Sequence, residues 1–365
     1  MGVLPSQDLR ALLRQGLFPA IEEQWVNPAS IDVPVTDEIY RMRYVMKPGE
    51  HDDVLSLVHQ YGERIYSRKH EYLLDVGVPY LVRVGRCVLP EGVYAYANPK
   101  STTGRLNVLV RVVADRVPKF DALEPAGWQG DVWMYVQPQS FPIRVRPGVT
   151  LTQLRLIDGQ SFVSETLMGR MHARADGGLF FDADGGRLPY PYGLVRSHAD
   201  KLHMTLFAQT GHVGWVCDGG LQPLDLSCAQ GSVDARSYFR PLYARGGTIE
   251  LVPGRFYILT TNEYLRVPSA YAAELRPVDP RIGEFRVHAA GFVDPGWGGA
   301  RGAPITLEVT LPDRSPLLVR HGEIIARVRF ERMKRVPDMR YGASIGSHYG
   351  EQRTARLAKY FREAA

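Results

Sequence analysis

The sequence predicts a mainly β protein made of two tandem β-barrel or β-sandwich domains with a few short helices. Three observations predict this fold class. Apolar and polar residues alternate along many short segments, 36 Gly and 26 Pro interrupt these segments, and a pattern of residues recurs in the second half of the 365-residue chain. Alternation with a period of two is typical of strands, and Gly and Pro end strands at turns. The length fits two domains of roughly 150 residues each.

Both halves contain segments whose alternation or β-branched content predicts strands. The clearest are YLVRVGRCVL (80–89), NVLVRVVA (107–114), DVWMYVQ (131–137), FYILTT (256–261), ITLEVTL (305–311) and LLVRHGEIIARVRF (317–330). Helices are predicted only at 6–16, 51–61 and 351–364.

The second half of the chain resembles the first in three places, which occur in the same order. The pairs are 143–156 with 317–330, 103–117 with 279–293, and SIDV (30–33) with SVDA (232–235). Repeats in one order at similar spacing indicate a tandem duplication. The stretch at 169–194 is rich in Gly, Asp and Pro, which predicts the boundary between the two domains. We therefore expect a first domain at 1–172, a linker at 173–194 and a second domain at 195–365.

Composition and charge narrow the class of partner. The net charge is +5 and the pI about 9.0, but no run of Lys and Arg is typical of a nucleic-acid surface. The apolar runs fall short of the ~18 residues that span a bilayer, and the N-terminus lacks the apolar stretch of a signal peptide. Three cysteines without a CxxC pair fit a reducing cytoplasm. We expect a cytoplasmic protein that binds a small molecule, not nucleic acid or a membrane.

Two segments carry candidate chemistry. NPKSTTGRL (98–106) gathers a Lys, three hydroxyl side chains, a Gly and an Arg, which favours anion binding, although its spacing is not that of a Walker A loop. The second copy lacks these hydroxyls but carries Asp294 and Glu308. Glu308 lies inside the apolar strand ITLEVTL, where burying a charge without a partner is costly, so we expect it to face either solvent or a site. A desolvated Glu suits general acid–base catalysis.

The motifs NPKSTTGRL, AAGFVDPGWGG (289–299) and ITLEV (305–309) together resemble the dCTP deaminase family, a branch of the deoxyuridine triphosphatase (dUTPase) superfamily. The resemblance covers both halves of the chain. It implies two tandem dUTPase-like domains, each a distorted β-barrel or jelly roll. It also implies hydrolytic deamination of dCTP to dUTP and ammonia, with dUTP and dTTP as further candidate ligands.

The resemblance implies a role for each matching residue. Glu308 matches the catalytic Glu, Ser101 and the Ala290 backbone match groups that hold the attacking water, and Arg105 matches the catalytic arginine. The nucleotide-binding positions that match are Lys100, Ser101, Thr102, Thr103, Gly104, Arg105, Asp294, Trp297, Thr306, Leu307, Glu308, Tyr341, His348 and Gln352.

The resemblance further implies that one site is divided between the two halves, with the triphosphate grip in the first and Glu308 in the second. In the first half, Lys119-Phe120-Asp121 is interpreted as the replacement for Asp-Pro-Gly, and no Glu matches Glu308. That copy of the acid site is predicted to be inactive. Mg²⁺ is expected on the triphosphate, where phosphate oxygens share it, with no zinc and no metal site built by protein side chains.

Two other functions stay open, and a third, zinc-dependent deamination, is excluded by the sequence. A dUTP pyrophosphatase, alone or combined with deamination, would use Asp294 to activate water at the α-phosphate. A non-catalytic nucleotide-binding regulator would explain the lost residues of the first copy. Zinc-dependent cytidine deaminases need His-x-Glu and Pro-Cys-x-x-Cys; HGE (321–323) is present without the cysteine motif, so His321 is predicted to lie in a turn. A monomer, a dimer and a trimer are all compatible with the sequence.

Overall fold

The computed structural model describes residues 1–174, 177–189, 202–278, 286–287, 291–311, 315–339, 349–350 and 352–363. Strands hold 43% of the residues and helices 11%, which confirms the mainly β fold class. The chain forms two compact units: Met1–Gln160, Gly219–Ser237 and Ala358–Ala365 make the first, and Ser161–Asp218 with Tyr238–Leu357 make the second. The units differ from the predicted domains 1–172 and 195–365, because residues 161–172 belong to the second unit and residues 219–237 and 358–365 belong to the first.

The first unit contains fifteen of the described strands and three helices. The strands are β1 (Gly2–Val3), β2 (Ile31–Pro34), β3 (Ile39–Met42), β4 (Gly62–Ile65), β5 (Tyr72–Leu74), β6 (Tyr80–Val88), β7 (Val93–Pro99), β8 (Val108–Ala114), β9 (Ala122–Leu123), β10 (Gln129–Pro138), β11 (Ile143–Val145), β12 (Thr150–Asp158), β16 (Leu224–Asp225), β17 (Val233–Asp234) and β27 (Phe361–Arg362). The helices are α1 (Ser6–Arg14), α2 (Val54–Tyr61) and α3 (Ser101–Gly104).

The second unit contains the other twelve described strands and helix α4 (Glu165–Ala173). The strands are β13 (Phe180–Phe181), β14 (Leu202–Thr205), β15 (Gly211–Cys217), β18 (Phe239–Ala244), β19 (Thr248–Leu251), β20 (Phe256–Leu265), β21 (Tyr271–Arg276), β22 (Arg286–Val287), β23 (Phe292–Val293), β24 (Ala303–Thr310), β25 (Leu317–Arg320) and β26 (Ile324–Arg332). Among the described residues, no helix is long and apolar enough to cross a bilayer.

The strand order confirms the tandem duplication. In the first unit one sheet runs β4-β3-β6-β10-β8, and in the second the order β18-β15-β20-β24-β22 repeats it strand for strand. A second sheet, β2-β12-β7-β9, is repeated as β14-β26-β21-β23, and the pair β5 with β11 is repeated as β19 with β25. Because each sequential strand finds the same neighbours in both units, residues of the two copies can be matched through their pairing registers.

This matching corrects one of the three sequence repeats. The counterpart of SIDV is the strand β14 at 202–205, because β14 pairs with β26 as β2 pairs with β12. SVDA (232–235) lies instead in the first unit, where Val233 pairs with Phe361. Four similar residues were too few to fix an alignment.

The predicted helices at 6–16 and 51–61 are confirmed as α1 and α2, but the predicted helix at 351–364 is wrong. The described residues 352–363 contain turns and the short strand β27. Their carbonyl groups bind side chains of other elements: Ala355 accepts a bond from the Trp215 indole at 3.1 Å, and Arg353 accepts one from the Tyr264 hydroxyl at 3.0 Å. Tertiary hydrogen bonds therefore override a local helical pattern.

Candidate functional site

The predicted anion-binding segment begins where β7 ends. Ser101–Gly104 form the single turn α3, closed by bonds from the Gly104 amide to the Lys100 carbonyl (3.0 Å) and from the Arg105 amide to the Ser101 carbonyl (3.1 Å). Ser101 and Thr102 stay partly accessible, whereas Thr103 and Arg105 are each only 2% exposed. The turn thus presents two hydroxyl groups and places the arginine inside the unit.

Lys100 has protein partners where the resemblance implies a phosphate contact. Its ammonium group forms an ion pair with Asp32 and donates to the Thr150 hydroxyl at 2.8 Å. Asp32 also accepts a bond from the Asn27 amide at 2.8 Å and is buried. The pKa of Lys359 is lowered, mainly by burial and then by the positive charge of the nearby Lys100. Two cationic side chains of the first unit therefore lie close together beside the hydroxyl-bearing turn.

The Lys100–Asp32 pair predicts coupled effects on stability. Lys100→Ala leaves a buried carboxylate without its cation, so we expect the free energy of unfolding to fall by about 2 kcal/mol. Asp32→Asn should have a similar effect, and the double variant should lose about 1 kcal/mol less than the two single losses together. Urea unfolding of the four proteins checks this. Fully additive losses would contradict the pairing.

In the second unit, Glu308 lies at the centre of β24, with Ile258 of β20 as its antiparallel neighbour. Leu307 and Val309 on either side are fully buried in an apolar cluster. Because side chains alternate along a strand, Glu308 shares the opposite face with Thr306, and both are buried, Glu308 to 3% exposure. The strand thus holds a carboxylate and a hydroxyl side by side in an otherwise apolar element.

Gln352 contacts this same strand through its side chain. Its amide nitrogen donates to the Pro304 carbonyl at 2.6 Å, and its amide oxygen accepts from the Thr306 hydroxyl at 3.3 Å. Tyr349, three residues earlier, packs in a core cluster that includes Trp297. The structure therefore brings Gln352 and Thr306 together. Ala290, Tyr341 and His348 lie outside the described residues.

Asp294 and Trp297 lie in a tight turn between β23 and β24. The Trp297 amide donates to the Asp294 carbonyl at 3.2 Å, and Gly296 has a φ of 94°, which favours glycine. The turn is fixed to Val267, whose amide donates to the Trp297 carbonyl and whose carbonyl accepts from Gly296, both at 3.0 Å. The Trp297 ring is buried at 8% exposure, so it anchors this turn to the core.

The first unit contains the same turn, which sequence reasoning missed. The Trp128 amide donates to the Pro125 carbonyl at 3.0 Å, Gly127 has a φ of 80°, and its amide donates to the Val93 carbonyl at 2.8 Å. The Leu89 amide donates to the Trp128 carbonyl, as that of Val267 does to Trp297.

Strand pairing places the counterpart of Asp294 one residue earlier than the turn hydrogen bonds do, because EPAGW (124–128) has one residue more than DPGW (294–297). Ala95 pairs with Leu123 in the first unit, and Ala273 pairs with Val293 in the second. The residue that follows Leu123 is Glu124, so Glu124 and Pro125 are the counterparts of Asp294 and Pro295. The interpretation of Lys119-Phe120-Asp121 as that counterpart is therefore wrong. The longer loop before β9 displaced the ungapped alignment.

The strand that matches β24 in the first unit carries no counterpart of the Glu308 carboxylate. Strand β10 takes the place of β24 in the sheet order, and its residues 132–138 include no Asp or Glu. The first copy therefore lacks the acid–base group that the second retains.

His321 and Gly322 form the turn between β25 and β26, as predicted, and His321 accepts a bond from the Ala208 amide at 3.2 Å. Within the described part of the chain, no three His, Cys, Asp or Glu side chains are grouped closely enough to hold a metal ion.

The chain matches two family models, described as the N-terminal and C-terminal domains of 2'-deoxycytidine 5'-triphosphate deaminase. They cover residues 1–160 and 199–361.

Curated relatives match shorter parts of the chain. They include the dCTP deaminase of Rhodospirillum rubrum, 29% identical over 42% of this chain and 73% of the relative. A "dCTP deaminase, dUMP-forming" of Methanothermobacter thermautotrophicus is 29% identical over 30% of this chain and 54% of the relative. The dCTP deaminase of Haloarcula marismortui is 33% identical over 31% of this chain and 57% of the relative. The chain thus spans little more than half the length of several of the curated relatives it matches.

A solved structure matches almost the whole chain. The crystal structure of 2'-deoxycytidine 5'-triphosphate deaminase from Agrobacterium tumefaciens is 31% identical in sequence, with a TM-score of 0.84. The match covers 94% of this chain and 99% of that one. Because the match spans both units at this identity, the chain belongs to the dCTP deaminase family.

Proposed function

We propose that the chain hydrolyses dCTP to dUTP and ammonia without zinc, with Glu308 as the general acid–base group. The observation that carries this proposal is the placement of Glu308. A carboxylate that is 3% exposed, between two fully buried apolar residues, is an expensive feature for a fold to keep without a use. It occurs in a chain that is similar over 94% of its length to a dCTP deaminase.

In the proposed reaction, Glu308 accepts a proton from water, and the water oxygen attacks C4 of cytosine. The proton then passes from Glu308 to the ring nitrogen N3. Glu308 then moves the proton of the C4 hydroxyl to the exocyclic amine, so that the C4–N bond breaks, ammonia leaves and the uracil carbonyl forms. Ser101 and the Ala290 backbone hold the water, and Arg105 stabilises the developing charge through its fixed fork of donors.

We propose that the other matching residues bind the nucleotide. Thr306 and Leu307 contact the base, and Asp294 and Trp297 shape the sugar pocket. Thr102, Thr103 and Gly104 follow Ser101 in the triphosphate-binding segment, and Lys100 adds positive charge to it. Tyr341, His348 and Gln352 belong to the segment that covers the phosphates. Mg²⁺ enters with the triphosphate, whose oxygens hold most of its coordination sphere.

Product analysis tests this proposal. Purified protein is incubated with dCTP and Mg²⁺, and nucleotides and ammonia are measured with and without EDTA or 1,10-phenanthroline. We expect dUTP and ammonia, loss of activity with EDTA, and full activity with phenanthroline, which binds zinc but leaves Mg²⁺ free. Activity that phenanthroline abolishes would contradict a zinc-independent reaction.

Several relatives are named as dUMP-forming, so the same experiment must separate dUTP from dUMP. dUMP with pyrophosphate from dCTP would indicate a bifunctional enzyme. Pyrophosphate from dUTP with dCTP untouched would indicate a dUTP pyrophosphatase and make Asp294 the residue to replace. Binding without turnover would indicate a regulator. We further propose that the protein is cytoplasmic and that it forms a homo-oligomer. Light scattering of the purified protein measures the oligomeric state.

A further inference from the structure

The first unit has an open groove of about 570 Å³ beside its own copy of the Gly-Trp turn. It lies between the outer face of β7 and the loops on both sides of β9. Its polar and aromatic lining consists of Glu50, Tyr94, Tyr96, Arg116, Lys119 and Glu124.

One wall of the groove is the duplicated turn itself. Glu124 and Pro125 take the places of Asp294 and Pro295, and Gly127 repeats the positive φ of Gly296. In the proposed function, Asp294 shapes the sugar pocket of the nucleotide. The groove therefore lies beside the counterpart of a turn that the proposed function places in the nucleotide site.

The floor of the groove is aromatic. Tyr94 and Tyr96 are half-buried and project from one face of β7, while the alternate residues Ala95 and Ala97 face the core. The two rings meet edge to face, with centroids 5.3 Å apart at 70°, and the Tyr94 hydroxyl is fixed to the Gly159 carbonyl at 3.1 Å. Rigid tyrosine rings that remain partly open are suited to stacking on a flat heterocycle.

The rim of the groove carries two cationic side chains. Lys119 is 66% exposed and forms an ion pair with Glu124. The Arg116 side chain is 51% exposed; one nitrogen donates to the Gln129 carbonyl at 3.2 Å, and another lies 3.8 Å from the Asp53 carboxylate. Both cations are accessible at one rim, where they can exchange their carboxylate partners for the phosphates of a nucleotide.

The loop that carries both cations is longer in the first copy. The sequence repeat matches Val117 with Val293, whereas strand pairing matches Leu123 with Val293. The first copy therefore has six more residues than the second between the repeat at 103–117 and β9, and these residues lie at the rim of the groove.

We propose that this groove is a second, non-catalytic site for a pyrimidine deoxynucleotide, with the base on Tyr94 and Tyr96, the sugar at Glu124 and the phosphates at Arg116 and Lys119. The choice of ligand class rests on the proposed function, because the turn is duplicated from its nucleotide pocket. Because residues 132–138 of the matching strand β10 include no carboxylate, the bound nucleotide is held and not deaminated.

Calorimetric titration with α,β-imido-dUTP tests the site, because neither deamination nor α,β-phosphate hydrolysis consumes this ligand. We expect two sites per wild-type chain. Tyr96→Ala and Lys119→Glu should each weaken one site at least tenfold and leave the other unchanged. Lys119 is exposed, so its variant keeps the test valid if Tyr96→Ala misfolds. Tyr66→Ala, which changes an exposed tyrosine of the same unit outside the groove, should retain both sites.

The outcomes separate this inference from the proposed function. A single site per chain in a protein that turns over dCTP would overturn the second site and leave the proposed function intact. Two sites, one of them sensitive to Lys119→Glu, in a protein without turnover would support the groove and contradict the enzyme. Two sites that no groove variant affects would place the second ligand elsewhere and overturn the inference.

Discussion

Glu308→Gln is expected to lower kcat for dCTP deamination about 10³-fold while the protein stays folded. Glutamine keeps the shape of the side chain and its hydrogen-bonding atoms, but it cannot take a proton from water or return one to the base. Positioned general acid–base groups contribute about 10² to 10⁴ in rate. Because glutamine is neutral, burying it on β24 is less costly than burying a carboxylate. The melting temperature should therefore hold or rise.

The measurement is steady-state release of ammonia together with calorimetric melting of both proteins. Glu250→Gln is the matched control, because Glu250 is an exposed carboxylate on β19 of the same unit. It should leave kcat within twofold. If Glu308→Gln retains more than a tenth of the wild-type rate, Glu308 is not the acid–base group.

The strands and the duplication could be predicted from the sequence because both depend on short-range pattern. Period-two alternation survives in β10 and β24 although their residues differ, and the turn at His321 follows from its Gly. The partners of β14 could not be predicted, because pairing joins residues far apart in the chain. SVDA was chosen on similarity alone, and only the pairing register shows that it belongs elsewhere.

Part of the candidate site could also be predicted from the sequence, and part could not. Glu308 could be identified from the sequence because a carboxylate interrupts an apolar strand. The turn at Glu124 was missed because six additional residues shift it away from an ungapped alignment. An acidic residue and Pro followed by Gly-Trp was the available signal, and a gapped comparison of EPAGW (124–128) with DPGW (294–297) would have found it. The partners of Lys100 could not be foreseen, because Asp32 and Thr150 approach it only through the folded sheet.

Arg105→Lys is expected to lower kcat/KM for dCTP by about 10² to 10³ although the positive charge is kept. The reason is geometric, since an ammonium group cannot reproduce the planar fork of donors that orients water and a carboxylate together. Arg155→Lys is the matched control, because Arg155 is equally buried in the same unit and bonds to Asn98 at 2.9 Å. Both variants replace a buried arginine, so both should lose stability in urea, but only Arg105→Lys should lose turnover. Equal loss of turnover in the two would mean that Arg105 acts through folding, and full activity of Arg105→Lys would mean that charge alone suffices.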